Sequence, residues 1–174
     1  MKQDYVYALS HRAASQRGGG KARNLQFLLQ RHFPVPQGWV VTWDAQNDYL
    51  LQGEAVLVQL RKNLADKVSP DKTYAVRSSA SVEDESRHSC AGLFRSILQV
   101  RGLDAVLDSI RLVWKSLASA EYAAYRQKNQ TTDKPVRMAV IIQEMVQVVY
   151  SGVVFSKNPL TGLSEIIIDR KSVV

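Results

Sequence analysis

The sequence predicts an α/β fold, a sheet flanked by helices, and three observations carry that expectation. Met138-Ala139-Val140-Ile141-Ile142-Gln143 is an apolar run too continuous for a one-sided strand, and it reads as a strand buried on both faces. Leu103, Val106, Leu107, Ile110, Val113, Trp114 and Leu117 recur at helical spacing, while Asp104, Asp108, Arg111 and Lys115 fall largely off that stripe. Two short apolar runs, Tyr74-Ala75-Val76 and Ile97-Leu98-Gln99-Val100, bracket a segment rich in hydroxyls.

In chain order, residues 1–16 are weakly patterned and read as chain lying across the surface. Arg17-Gly18-Gly19-Gly20-Lys21 then leads into a helical pattern through Leu25, Leu28 and Leu29, as far as His32-Phe33. Glycines ahead of a helix expose backbone N–H groups at its positive end, where phosphate binds, and Lys21 adds a mobile charge there. By pattern alone such a stretch is usually only a turn. It is not a Walker-type loop, because Ser15 and Ala22 stand where a glycine and a hydroxyl residue are required.

Pro34 and Pro36 stop that helix, and residues 38–42 read as a strand. Thr42 or Asp44 is placed to cap a short helix through Leu51. A second helix over 54–65 puts Leu57, Leu60 and Leu64 on one face, and both helices read as packing elements. Ser69-Pro70-Asp71 is a turn delivering the chain to Tyr74-Ala75-Val76, a run that ends on Arg77. A strand stopping on arginine sets a permanent, two-pronged cation at the rim of a sheet. Ser78, Ser79 and Ser81, the pair Glu83-Asp84, and a loop closing on Ala91-Gly92 follow. Composition alone allows this to be a surface hairpin loop as readily as a polyphosphate clamp.

The stripe from Leu103 predicts a helix continuing toward Tyr125, with Trp114 as core, and 127–135 is the best loop in the chain. After the buried strand come Glu144-Met145-Val146. Residues 151–156 read as that strand's partner, 158–162 as a turn, and 165–169 as the start of another strand.

Charge and cysteine usage narrow the function classes. The net charge is +7, and up to Arg31 six basic residues face Asp4 alone, which points to an anionic partner. No aromatic residues interleave with those charges as a base-stacking surface requires, so nucleic acid is the weaker option. Cys90 is the only cysteine, which excludes an internal disulfide and a cysteine-rich zinc site and fits a reducing compartment. Without a signal-peptide core or a run long enough to span a membrane, the expectation is a soluble, cytoplasmic chain with no membrane partner. His11, His32 and His88 read as ordinary polar residues.

Several segments carry a resemblance. Arg77-Ser78-Ser79-Ala80, Glu83-Asp84 and Ser89-Cys90-Ala91-Gly92 resemble the signature of the N-terminal ATP-binding domain of the phosphoenolpyruvate synthase and pyruvate phosphate dikinase family. Ser81 and Cys90 depart from it, standing where Thr and Phe are commoner. Gly19-Gly20-Lys21 with Asn24-Leu25 is similar to the family's first motif, and PVPQGWVVT to its link into the first central strand. Glu144-Met145-Val146 resembles the adenine-binding segment, and SGVVFSKNPLTG is again close to the family pattern.

The resemblance implies a mixed, largely antiparallel sheet flanked by helices, the first part of an ATP-grasp nucleotide-binding domain. Residues 1–174 would be an incomplete N-terminal ATP-grasp domain, the second half, the phosphohistidine domain and the pyruvate-binding domain being absent. It implies Lys21 and Arg77 as catalytic, phosphate-holding groups. It implies nucleotide contacts from Gly19, Gly20, Lys21, Arg77, Ser79, Gly92, Gln143, Met145 and Val146. ATP is the implied cofactor with Mg2+, whose ligands are expected on the missing half, so no metal ligand is expected here. The implied partners are ATP and the remaining domains of a dikinase-like enzyme, in the same chain or separate. Those domains would receive phosphate on a carrier histidine, the chain alone being inactive, and the acceptor (pyruvate, a rifamycin-like antibiotic or another) stays open. The alternative is a non-catalytic nucleotide-binding or interaction module, a short or degenerate member of the family.

Overall fold

A computed structural model describes residues 4–81, 93–129, 136–158 and 160–172. Its centre is the apolar run singled out above. Strand β5 (Met138–Glu144) lies between β2 (Gly38–Val41) and β3 (Thr73–Ala80), and its first six residues are buried. With β1 (Val6–Ala8) and β4 (Ser96–Arg101) at the edges, the sheet runs β1-β2-β5-β3-β4, every neighbour antiparallel.

Because side chains alternate across a strand, each strand feeds two cores. Trp39, Val41, Tyr74, Val76, Met138, Val140 and Ile142 face the larger one. Helices α3 (Trp43–Gln52), α4 (Glu54–Leu64) and α5 (Leu103–Lys115) pack on it, the last through the expected stripe of Val106, Leu107, Ile110, Val113 and Trp114. Arg111 ties α5 to α4 through Glu54 and also pairs with Asp108 of its own helix. The opposite face is smaller: Val40, Ala139 and Ile141 meet Ala14 of α1 (Arg12–Arg17) and Ala22 of α2 (Gly19–Gln30).

Five expectations are corrected. Residues 1–16 are not featureless, since β1 and α1 lie within them or begin there. Tyr5 and Val6 are buried, which three residues of strand were too short to announce. The Arg77 strand does not stop on Arg77 but runs on through Ser78, Ser79 and Ala80, because β5 offers all of them ladder partners. The helix from Leu103 breaks into a 3-10 turn (Ser116–Ala118), and a separate α6 (Ala120–Asn129) follows. Ser119 caps that new start, its hydroxyl accepting from the Tyr122 N–H at 3.2 Å. Residues 151–156 do not pair with the central strand. β6 (Tyr150–Phe155) pairs with β7 (Ile167–Ser172) in a separate two-stranded sheet. The expected loop over 127–135 begins later, since α6 reaches Asn129; residues 130–135 lie outside the described residues.

Thr42 does sit at the N-cap of α3, but its hydroxyl makes no capping bond and is buried without a partner among the described residues.

A candidate nucleotide-binding face

The glycine-rich motif and the Arg77 strand come together. Helix α2 begins at Gly19 itself, with Gly18 at the N-cap, and its first turn lies against the end of β3. Gly19 adopts φ +75°, and a Cβ there would fall 2.5 Å from the Ser79 carbonyl oxygen, so only glycine permits this approach. Gly19 and Gly20 are buried rather than displayed in an open loop. The Ala22 N–H, in the first turn of the helix, also donates to the Ser79 hydroxyl at 3.3 Å. The Lys21 ammonium reaches across to the Ser78 carbonyl at 3.0 Å and the Ser78 hydroxyl at 3.3 Å. These bonds are why two serines tolerate full burial inside a strand.

Register puts the remaining candidates on one face of the sheet. Ser79 pairs with Ala139, Arg77 with Ile141 and Ala75 with Gln143, and Ile141 and Ala139 belong to the core under α2. Arg77 and Gln143 therefore share the α2 side. Arg77 is half-buried, and its side chain forms no hydrogen bond or ion pair among the described residues. The Gln143 carboxamide is buried and donates to the Pro36 carbonyl at 3.2 Å.

Met145 and Val146 lie beyond the far end of the same ladder. The Met145 N–H donates to the Thr73 carbonyl at 2.9 Å, and its sulfur accepts from the Gln99 N–H at 3.1 Å. Gln99 sits where the β3–β4 register shifts, at φ +58°, so an irregularity in β4 aims its N–H at the thioether. Beside it the Glu144 carboxylate holds Lys72 at 2.7 Å, and that hydrogen bond pushes the Lys72 ammonium above its ordinary range. Val146 is exposed. From Ser78, where Lys21 lands, to Thr73, where Met145 lands, is about 17 Å of strand at roughly 3.3 Å per residue.

Gly19 thus meets Ser79 directly and Lys21 meets Ser78, Gly20 lies in the same helical turn, Arg77 and Gln143 share the α2 side of the sheet, and Met145 and Val146 lie beyond the ladder's other end. Gly92, with Glu83-Asp84 and Cys90, lies outside the described residues. Sequence reasoning did not single out Ser78 and Gln99. Nothing distinguishes Ser78 from its neighbours in a serine run, and Gln99 matters only through a register shift.

These elements define a helix-flanked, antiparallel α/β domain. Residues 53–172 match the family described as pyruvate phosphate dikinase, AMP/ATP-binding domain, and the chain belongs to that family. The match takes in Arg77, Gln143 and Met145 and begins after Lys21. A probable phosphoenolpyruvate synthase of Methanothermobacter thermautotrophicus is 30% identical over 87% of this chain. The rifampicin phosphotransferase of Streptomyces sviceus is 31% identical over 83% of it, and the prodigiosin synthesizing transferase PigC of Serratia marcescens 30% over 87%. The chain spans 28%, 21% and 19% of those three proteins' own lengths.

Proposed function

We propose that this chain is the ATP-binding part of a phosphoenolpyruvate synthase-like phosphotransferase, acting in the cytoplasm. In this reading phosphate passes from ATP to a carrier histidine on another domain. The observation that carries it is Arg77, a half-buried guanidinium without an anionic partner among the described residues, one residue from the serine that holds Lys21. Such a group is stabilised by an anion with two oxygens to offer, and a phosphate fits. Lys21 and Arg77 hold the phosphates, Ser79 and the glycines set their approach, and the base lies toward Met145 and Val146. The length of strand between the two ends suits an extended nucleoside triphosphate. Preorganised cations at a transferring phosphoryl group are where such catalysis gains most.

Magnesium does not fit these residues. The cluster consists of two cations, hydroxyls and amides, and the nearest described carboxylate on the ladder, Glu144, is engaged by Lys72. The hard oxygen ligands that magnesium takes belong elsewhere in this proposal. The acceptor stays open between the chemistries that the relatives' names describe.

Calorimetry with ATP on the 174-residue chain tests the reading. Arg77→Ala should weaken binding roughly ten- to a hundredfold, and Arg77→Lys should not restore it, because a point charge cannot reproduce the fork. Lys21→Ala should cost less, and its melting temperature should reveal how much of the Ser78 contact is structural. Unchanged ATP affinity in both alanine variants removes the phosphate-holding role. The remaining possibility would be a packing role for Lys21, which its bond to a backbone carbonyl favours.

A further inference from the structure

A second site lies on the other face of the sheet. Helices α3, α5 and α6 and the 3-10 turn border a cavity of about 440 Å3, walled by Tyr49 and Trp114, whose rings sit 5.1 Å apart, and by aliphatic side chains. That volume falls in the range of roughly 300–1,000 Å3 typical of small-molecule sites.

The polar groups around it point to one kind of ligand. The Gln46 carboxamide oxygen accepts from the Met138 N–H at 2.9 Å in a buried bond, which fixes the amide so that its NH2 end is left to donate elsewhere. Trp114, 5% exposed, lines the cavity with its ring while its indole nitrogen is buried away from it. Lys115 and Arg126 supply positive charge at the rim, and among the described residues neither is in an ion pair and no acidic residue lines the cavity. Flat apolar walls, a neutral amide donor inside and cations outside complement a flat apolar body bearing an anion.

We propose that this cavity binds a planar aromatic carboxylate. The ring system lies against Tyr49 and Trp114, and the carboxylate takes a hydrogen bond from the Gln46 amide under the charge of Lys115 and Arg126. The site does not depend on the nucleotide reading, because the sheet separates it from Lys21 and Arg77.

The test is calorimetric, on the 174-residue chain, with benzoate, indole-3-acetate and 2-naphthoate as probes beside their neutral amides. At least one carboxylate should saturate a single site and bind about tenfold or more tighter than its amide. The double variant Lys115→Ala/Arg126→Ala changes only exposed side chains and should erase that preference. Ala118→Trp, which fills the rim from an exposed position, should abolish binding with the melting temperature retained. Saturating ATP should displace none of the probes. Failure of every carboxylate to saturate, equal binding of acid and amide, full binding to Ala118→Trp, or competition by ATP would each overturn the proposal. None of these outcomes bears on Arg77 and ATP.

Discussion

Two six-residue apolar stretches of this chain meet opposite fates. Residues 138–143 disappear between two strands and two helical layers, and Ile142 is 0% exposed. In β6, adjacent residues Val153 and Val154 remain 52% and 65% exposed, and Ile168 across the hairpin 67%. Adjacent residues face opposite sides of a strand, so the hairpin shows apolar surface on both faces. Composition does not decide burial; the number of layers a strand receives does. A two-stranded ribbon by itself is marginal in water, whereas the five-stranded sheet carries its own cover.

That contrast can be broken most directly by deletion. Ile142→Ala should cost about 2–5 kcal/mol, because its surroundings collapse only in part around the lost volume. Val154→Ala should stay within about 0.5 kcal/mol. Denaturant melts of the two variants compare them, and equal losses would mean that the hairpin is buried in solution. Native-state hydrogen exchange gives a second view: β5 amides should open only with global unfolding, and β6 and β7 amides through a cheaper local route.

The next expected effect concerns the seam between α2 and β3. Gly19→Ala places a methyl against the Ser79 carbonyl and forces a left-handed backbone on an L-residue, for a loss of at least about 2 kcal/mol. A glycine of the hairpin turn, Gly162, also has positive φ, but a Cβ there meets nothing, so Gly162→Ala should cost only the backbone term, about 1–2 kcal/mol. Similar thermal shifts for the two would undo the close approach.

A smaller effect sharpens the same point just beyond the end of β2. Thr42→Val removes a buried hydroxyl that has no partner among the described residues, so it should be neutral or stabilising by up to about 1 kcal/mol.

The smallest effect depends on pH. Burial first, then the hydrogen bond to Asp48, pushes the Tyr5 phenol up to about 12 from 10.0. Below pH 10 the phenol is neutral in both states and its contribution is complete. Between 10 and about 12 the unfolded chain ionises first, so stability falls as pH rises through that window. Melts across it should decline less steeply in Tyr5→Phe; parallel curves would mean that Tyr5 titrates as a free phenol.

Periodicity and run length made the core legible: β5, the stripe of α5, and the helices of 43–64 follow from the spacing of their apolar residues. Pairing was less accessible. The expectation that 151–156 would partner the buried strand rested on adjacency, while β2 and β3, distant in sequence, hold both of its edges. Arg77 looked terminal because hydroxyl residues follow it. The strand continues because Lys21 and the Ala22 N–H, from another element, satisfy those serines. At the candidate site the residue types were readable and their order along one ladder was not, since register is a property of two strands together.

The strand order has a consequence for how the chain becomes a protein at all. Of this sheet's five strands the middle one comes last in the sequence, so β2 and β3 each leave the ribosome with an open inner edge. At roughly 5–20 residues per second, the wait between Ala80 and Met138 lasts on the order of seconds. During that interval the nascent chain presents two unpaired apolar edges that only its own later segment closes. High sequence separation among the central contacts makes closure a slow step in refolding as well. A protein with this topology depends on whatever shields those edges until β5 arrives.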